Sequence, residues 1–235
     1  MQAVILAGGL GTRLRPFTEV IPKPLLPIGE KSLLEIQIAH LKRHGFDEIF
    51  LATNYLSDYL GNFFGDGSRY GVRLEISRES EPLGTAGPVT LLKDRLQKPF
   101  LVMNGDILSA IDLGRFYAFA GNLPAALCVA IKKLVTPFAF GRISSAGDFV
   151  TAIEEKPSFE IEVLAGIYVM KPEILALIPE KTYFGMDTLI RTMLARNMPV
   201  GRYAVHEYWL DIGQMPDYQR AQEEYRQHFA GLEDS

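Results

Sequence analysis

The chain has 235 residues, of which 48% are hydrophobic, 22% charged and 11% aromatic, a composition that excludes a disordered chain, a collagen and a coiled-coil rod. Its one cysteine, Cys128, excludes an internal disulfide framework and a Cys-rich zinc site, and fits a reducing compartment. The formal net charge of −4 argues against a nucleic-acid coat protein, which needs a basic face, but allows phosphate ligands held by a few local cations.

In chain order, Val4 to Ala7 has the pattern of a short buried strand that ends in glycine. Ser32-Leu33-Leu34-Glu35 reads as a capping box, with Ser32 as N-cap and Glu35 three residues on. The helix it opens is predicted to run to about His44, with Gly45 as its C′ stop. Glu48 to Thr53 reads as the next strand, and Ser57 as the cap of a short helix ending near Gly65. Val72, Leu74 and Ile76 alternate with polar residues, as in a half-buried strand. A helix to about Leu96 and a buried strand from Phe100 to Met103 follow. This β-α-β-α order predicts an α/β fold with a Rossmann-like, doubly wound, mixed but mostly parallel sheet.

After about Asp106 the strand-like pieces crowd together, at Ala125 to Ile131, Ala139 to Ser144, Phe149 to Glu154 and Ala165 to Met170. Helices return at Pro172 to Ile178, at Met186 to Arg196 and from Met215 onward. No Ser/Gly linker or internal repeat interrupts the chain, so one domain with two lobes is expected. Tyr55, Tyr59, Phe63 and Phe64 recur at roughly helical spacing, which predicts core packing. His40 and His44 are four apart on a predicted helix but lack the Glu of H-E-x-x-H, and all four histidines read as structural. No apolar run nears the roughly 18 residues of a membrane span, and the N-terminus lacks the basic start of a signal peptide, so a cytoplasmic protein is expected.

Ligands of doubly wound sheets sit beyond the carboxyl ends of the strands. Here the first strand runs directly into Gly8-Gly9-Leu10-Gly11-Thr12-Arg13-Leu14. Glycines admit a ligand close to the backbone, successive N–H groups cradle phosphate oxygens, and Arg13 adds a forked permanent charge. A dinucleotide fingerprint is excluded, because Leu14 stands where the third glycine belongs, and the chain lacks a G-x-x-x-x-G-K-[ST] loop. Pro22-Lys23-Pro24 is predicted to be a stiff, extended stretch that pins Lys23. Taken alone, the glycines also suit an ordinary tight turn and Lys23 an ordinary surface loop.

Leu6-Ala7-Gly8-Gly9-Leu10-Gly11-Thr12-Arg13-Leu14-Arg15-Pro16, followed by Pro22-Lys23-Pro24-Leu25-Leu26-Pro27, resembles the signature of the sugar-1-phosphate nucleotidyltransferases, or NDP-sugar pyrophosphorylases. The resemblance implies a nucleotidyltransferase (GT-A-like) fold and an enzyme of nucleotide-sugar synthesis. Leu6, Ala7, Gly8, Gly9, Gly11, Thr12 and Arg13 would bind a nucleoside triphosphate, and Arg13 and Lys23 would stabilise its phosphates during transfer. Glu81-Pro82-Leu83-Gly84-Thr85-Ala86-Gly87 resembles the base-recognition segment, which adds Gly84 and, just before it, Glu79. Asn104-Gly105-Asp106 resembles the metal-binding turn, and Trp209-Leu210-Asp211-Ile212-Gly213 the segment that supplies a second metal-binding carboxylate. Glu154-Glu155-Lys156-Pro157 resembles the sugar-phosphate segment, and Ala165-Gly166-Ile167-Tyr168 the strand lining the sugar pocket.

The implied reaction also explains an absence. The sequence offers no convincing Ser/His/Asp or Cys/His constellation, and none is needed. A phosphate monoester has a second pKa near 6, so the nucleophile is already ionised at neutral pH. What remains is positioning and charge neutralisation. Mg²⁺ on Asp106 and Asp211 suits that task, since it prefers one or two carboxylates plus phosphate oxygens. Lys156 would bind the sugar-linked phosphate and Glu155 the sugar hydroxyls, with Gly141 giving close approach and Asn104 a further bond.

By the resemblance, residues 1–235 form a single domain, with a nucleotide-binding lobe over about 1–110 and a sugar-phosphate-binding lobe over about 111–235. No C-terminal β-helix of the kind found in longer relatives is expected. The partners implied are a nucleoside triphosphate and a sugar 1-phosphate, with no nucleic acid or membrane, and a homo-oligomer is left open. The run Glu81 to Gly87 resembles mannose-1-phosphate guanylyltransferases more than thymidylyltransferases, and the chain is also similar to small heptose-1-phosphate guanylyltransferases. GTP with a mannose-like or heptose 1-phosphate is therefore the leading pair. UTP, dTTP or CTP with glucose, N-acetylhexosamine or N-acetylmuramate 1-phosphate is the alternative. A non-catalytic regulator that binds nucleotide-sugar is the competing class, and the joint presence of Arg13, Lys23, Asp106, Lys156 and Asp211 argues against it.

Overall fold

A seven-stranded sheet forms the centre of the computed structural model, which describes residues 1–9, 11–54 and 57–229. Across the sheet the strands run Val200–Val205, Leu127–Pro137, Ser158–Met170, Phe100–Asn104, Gln2–Leu6, Glu48–Thr53 and Arg73–Arg78. Only Ser158–Met170 is antiparallel to its neighbours. The mixed, mostly parallel α/β sheet read from the sequence is therefore the one found. Ala3, Val4, Ile5, Phe50, Leu51, Ala52, Leu101 and Val102 are fully buried, as the central strands of a sheet covered on both faces must be.

The chain winds outward in one direction from Gln2–Leu6 to Arg73–Arg78 and in the other from Phe100–Asn104. The order thus reverses between the strands ending at Leu6 and Asn104. That switch point opens a crevice at their carboxyl ends. Gly105 N donates to Leu6 O (2.9 Å) and ties the two strand ends together.

The helix Leu33–Arg43 forms as predicted. Ser32 N donates to Glu35 Oε2 (2.8 Å), Glu35 N donates back to Ser32 Oγ (3.3 Å), and Gly45 takes the left-handed stop at φ +82°. Its inner face, with Leu34, Ile38 and Leu41, packs against Ile5, Ile49 and Leu51 on one side of the sheet. Val89, Met186 and Leu189 cover the other side over Phe50, Phe100 and Val102. A third cluster places Tyr225 and Phe229, from the C-terminal helix Met215–Phe229, over Leu14, Leu26 and Ile28.

Several elements differ from the sequence expectation. The segment predicted as a helix to Leu96 is a 3₁₀ helix, Gly87–Leu92. Ala86 N and Gly87 N both donate to Phe184 O (2.9 and 3.0 Å), and this external anchor fixes the segment's start. Pro172–Leu177 is likewise 3₁₀. The helix Leu113–Gly121 is not among the elements expected above, although Asp112 caps it by accepting from Arg115 N (2.8 Å). The edge strand Val200–Val205 is a further element beyond those expected. Ser57 is the first residue of the helix Ser57–Phe64, and its hydroxyl donates to Asn54 O (3.0 Å). Of the aromatic residues predicted to be core, Phe64 is buried while Tyr59 and Phe63 are exposed. Tyr55, like Leu10 of the glycine-rich loop, lies outside the described residues.

The largest difference is in length. Leu127–Pro137 and Ser158–Met170 extend well past the strands read as Ala125 to Ile131 and Ala165 to Met170. Their distal halves, with the hairpin Arg142–Ala146 and Phe149–Glu154, form a β-arm whose residues 133–156 are all exposed. Among the described residues no helix is long and apolar enough to cross a membrane.

Candidate functional site

The crevice at the switch point is a cleft of about 590 Å³, within the range of small-molecule sites. Leu6, Ala7, Gly8, Gly9, Gly11, Thr12 and Arg13 line it from the first strand's end. Lys23, Glu79, Gly84, Asn104 and Asp106 line it from the other elements. Every candidate nucleotide-binding residue is therefore on one cavity.

The local backbone explains the glycines. A Cβ on Gly8 would lie 3.0 Å from Glu79 Oε1 and 3.3 Å from Asn54 N, so a side chain there would crowd the carboxylate. Gly11 has φ +61°, and a Cβ on it would stand 2.8 Å from Thr18 Cγ2. Thr18 Oγ1 in turn donates to Gly11 O (2.8 Å) and fixes the loop.

Lys23 does not lie on the extended stretch predicted for it. Pro22 is extended, but Lys23–Leu25 is a 3₁₀ turn closed by Leu25 N to Pro22 O (2.8 Å) and Leu26 N to Lys23 O (3.1 Å). Burial of Leu25 and Leu26 pulls the chain inward and takes Lys23 with it. Its Nζ donates to Asp106 Oδ2 at 2.6 Å.

Asp211 ends the short strand Trp209–Asp211, which pairs antiparallel with Ile107–Ser109, so that Asp211 lies opposite Ile107. Ile212 N donates to Asp106 O (2.9 Å). Burial, and then the neighbouring charge of Asp106, raise the Asp211 carboxyl above its ordinary value, against the pull of Lys23 and Arg13. A carboxylate in the turn before Ile107 and one at the end of the strand Trp209–Asp211, beside two cations, are a donor pair suited to a hard divalent ion that also takes phosphate oxygens. Among the described residues no group of three His, Cys, Asp or Glu side chains forms a closed metal site.

Glu79 follows the strand Arg73–Arg78, and its Oε2 accepts from Leu83 N (2.9 Å). Burial raises its carboxyl above the ordinary value. Asn104 Oδ1 and Asn54 Nδ2 are buried at the cleft and lack a hydrogen-bond partner among the described residues. An unpaired acceptor and an unpaired donor there each carry an unmet hydrogen-bonding demand. Gly166, at φ +70°, lets the strand pass Asn104, since a Cβ would come within 2.8 Å of Asn104 Nδ2.

Asp211 is not among the residues lining the cleft, although Gly213 is, and Gly141, Glu155 and Lys156 do not line it either. Gly141, Glu155 and Lys156 lie together on the exposed arm, where a Cβ on Gly141 would sit 3.2 Å from Glu155 Oε2. Asn54, Thr85 and Tyr183 line the cleft without having been singled out. Asn54 follows the end of a parallel strand, a position that is itself a signal. Tyr183 reaches the cleft through the contact of Phe184 with Ala86 and Gly87, which nothing local announces. His40 and His44 are structural, as read: the ring Nε2 of His40 bonds to Ile111 O (2.8 Å).

The sequence profile of the family described as Nucleotidyl transferase matches residues 2–228. Mannose-1-phosphate guanylyltransferase 1 of Arabidopsis thaliana is 36% identical over 231 residues, which cover 93% of this chain and 63% of that protein. The UTP–glucose-1-phosphate uridylyltransferase of Synechocystis sp. is 30% identical over 242 residues, covering 94% of this chain and 62% of that protein. The chain thus spans a little under two thirds of the length of these curated relatives. Among solved structures, HddC from Yersinia pseudotuberculosis superposes with a TM-score of 0.75 at 27% identity, covering 95% of this chain and 99% of that one. The same protein complexed with GMP-PN superposes with a TM-score of 0.73.

Proposed function

The chain belongs to the nucleotidyl transferase family, and from that premise we propose that it transfers a nucleotidyl group from GTP to a mannose-like or heptose 1-phosphate. The products are an NDP-sugar and pyrophosphate. A sugar-phosphate oxygen forms a bond to the α-phosphorus as the bond to the departing pyrophosphate breaks. The nucleophile is already an anion, so no side chain has to remove a proton.

In this reading the backbone of Gly8, Gly9 and Gly11 cradles the triphosphate, while Arg13 and Lys23 neutralise it. Asp106 and Asp211 hold Mg²⁺, which when bound offsets charge on the phosphates. Asn104 orients the sugar. Glu155 and Lys156 bind its hydroxyls and phosphate from the arm. Asn104 and Asp211 apart, residues about 1–110 serve the nucleotide and about 111–235 the sugar phosphate in this reading.

The observation that carries the choice of base is the Glu79 carboxylate in the cleft. Guanine presents adjacent N1–H and N2–H donors, a pattern a carboxylate accepts. Cytosine presents acceptors at the corresponding atoms, and uracil and thymine a single N–H between two acceptors. The Arabidopsis relative supports a guanylyl donor with mannose, and the HddC complex with GMP-PN supports a guanine nucleotide. The Synechocystis relative favours a second reading, UTP with glucose 1-phosphate.

The deciding experiment is a matrix of GTP, UTP, dTTP and CTP against mannose, heptose, glucose, N-acetylhexosamine and N-acetylmuramate 1-phosphates with Mg²⁺, scored by pyrophosphate release. Highest kcat/KM for GTP with a mannose-like or heptose phosphate is the expected result. A uridylyl preference would overturn the choice of base, and no turnover with any pair would favour a nucleotide-sugar-binding regulator.

A further inference from the structure

One aromatic ring at the cleft takes no part in the packing of the chain. Tyr183 lies between the 3₁₀ helix Pro172–Leu177 and the helix Met186–Ala195, and it lines the cleft. Its neighbour Phe184 turns inward, onto the cluster that holds Ala86 and Val89. Tyr183 belongs to none of the three clusters and is 72% exposed. Among the described residues its side chain makes no hydrogen bond, ring contact or ion pair. An exposed tyrosine alone is ordinary. What sets this one apart is a fixed pivot. Phe184 N donates to Leu83 O (2.9 Å), and Leu83 N donates to Glu79 Oε2 (2.9 Å). One residue, Leu83, therefore bridges the Glu79 carboxylate and the backbone that carries the Tyr183 ring. The two segments also touch directly. A Cβ on Gly84 would stand 2.8 Å from Phe184 O, and one on Gly87 3.0 Å from Thr182 O. The backbone on both sides of Tyr183 is wedged against residues 83–87 while its ring stays free.

We propose that the Tyr183 ring is the stacking platform for the nucleobase whose edge Glu79 reads, an inference that rests on the nucleotide-binding reading above. A carboxylate satisfies the edge of a base and leaves its faces bare. A phenol ring covers a face, and its hydroxyl can stay in water. The anchors of the segment are Leu83, Ala86 and Gly87, all on the wall that carries Glu79. That placement assigns the ring to the base rather than to the sugar proposed at Asn104. Every base has a π face, so the platform adds affinity for any nucleotide and leaves the choice among them to Glu79.

The test is isothermal titration calorimetry with Mg²⁺ and without sugar phosphate, on the wild-type chain and on Tyr183→Ala, Tyr183→Phe and Tyr183→Trp. The titrants are GTP, UTP, dTTP, CTP and inorganic tripolyphosphate. Tyr183→Ala should raise Kd for the nucleotide that the wild type binds tightest, whichever base it carries, by about tenfold. It should leave Kd for tripolyphosphate, which has no base, unchanged. Tyr183→Phe and Tyr183→Trp keep a ring and should bind that nucleotide within about threefold of the wild type. Wild-type affinity in Tyr183→Ala overturns the platform, as does an equal loss for tripolyphosphate or an equal loss in the Phe and Trp variants. A rise in KM for the sugar 1-phosphate in place of the nucleotide effect would give the ring to the sugar and overturn it too. Tight binding of UTP instead of GTP would overturn the choice of base and, with the tenfold loss intact, support the platform. A wild-type chain that binds none of the four nucleotides overturns the nucleotide reading and the platform with it. Should Tyr183→Ala misfold by circular dichroism, Tyr183→Leu, apolar but without a π face, replaces it under the same criteria.

Discussion

Lys23 Nζ and Asp106 Oδ2 stand 2.6 Å apart, and their side chains are only 10% and 27% exposed. The pair joins the turn after Pro22 to the turn after the strand Phe100–Asn104, so a cation proposed for the triphosphate and a carboxylate proposed for the metal hold each other in place. Lys23→Met strands a partly buried carboxylate beside Asp211. We expect a loss of about 1–3 kcal/mol in urea unfolding and a fall in kcat/KM of about 100-fold or more. Asp106→Asn should retain the fold and lose Mg²⁺-dependent turnover. Wild-type rates in Asp106→Asn would remove it from the metal site.

Gln37 braces the same turn from the helix Leu33–Arg43. It is 3% exposed, and its Nε2 donates to Asn104 O (3.0 Å) and Ile107 O (2.8 Å), on either side of Asp106. Gln37→Leu removes both bonds, the one to Ile107 O being fully buried, at a cost of about 1–3 kcal/mol. A looser turn also places Asp106 less well, so the Mg²⁺ concentration for half-maximal rate should rise severalfold. An unchanged Mg²⁺ titration in a destabilised variant would limit Gln37 to the fold.

Glu79 titrates above the ordinary carboxylate value because burial penalises its charge. As pH falls through that raised value the carboxylate takes a proton and loses one acceptor for the base. KM for GTP should therefore climb on acidification, at a pH where an exposed glutamate is still ionised. Glu79→Gln should raise KM for GTP and flatten its pH profile, read from initial rates at saturating sugar phosphate.

His40 is held neutral. Burial lowers its pKa from 6.5 to about 4, with His44 and Arg43 adding to the effect and the Ile111 carbonyl and Asp112 opposing it. The unfolded chain binds the proton first, so stability contributed by the neutral ring is complete above pH 6.5 and is lost as pH falls toward about 4. Urea unfolding should show a loss of about 3 kcal/mol across that window. His40→Asn should remove most of the slope, and an unchanged slope would place the acid sensitivity elsewhere.

Lys156 and Glu155 are the least constrained of the proposed residues, because both sit on the arm and outside the cleft lining. Lys156→Ala should raise KM for the sugar 1-phosphate about tenfold or more while leaving KM for GTP unchanged. Equal effects on both substrates would point to general disturbance of the arm.

Features set by neighbours in the chain were legible from the sequence. The capping box at Ser32 and Glu35, the glycine turn after the first strand and the Asn104-Gly105-Asp106 turn depend on residues a few positions apart. Asp112, an N-cap that accepts from Arg115 N three residues on, is the same kind of local signal for the helix Leu113–Gly121. The candidate nucleotide residues were likewise legible, because one loop supplies most of them.

What the sequence by itself determined is thus a parallel α/β chain with a phosphate-cradling turn at the end of its first strand. Tertiary structure alone decided that Asp211 meets Asp106, through strand pairing opposite Ile107 across a hundred residues of chain. It also decided that buried leucines draw Lys23 onto Asp106, and that the paired strands Leu127–Pro137 and Ser158–Met170 leave the core at their distal halves. The reason is physical. Local hydrogen bonds and backbone preferences act over a turn and are written in adjacent residues, whereas a pKa, an ion pair or an uncovered face depends on which distant strands the sheet order places side by side.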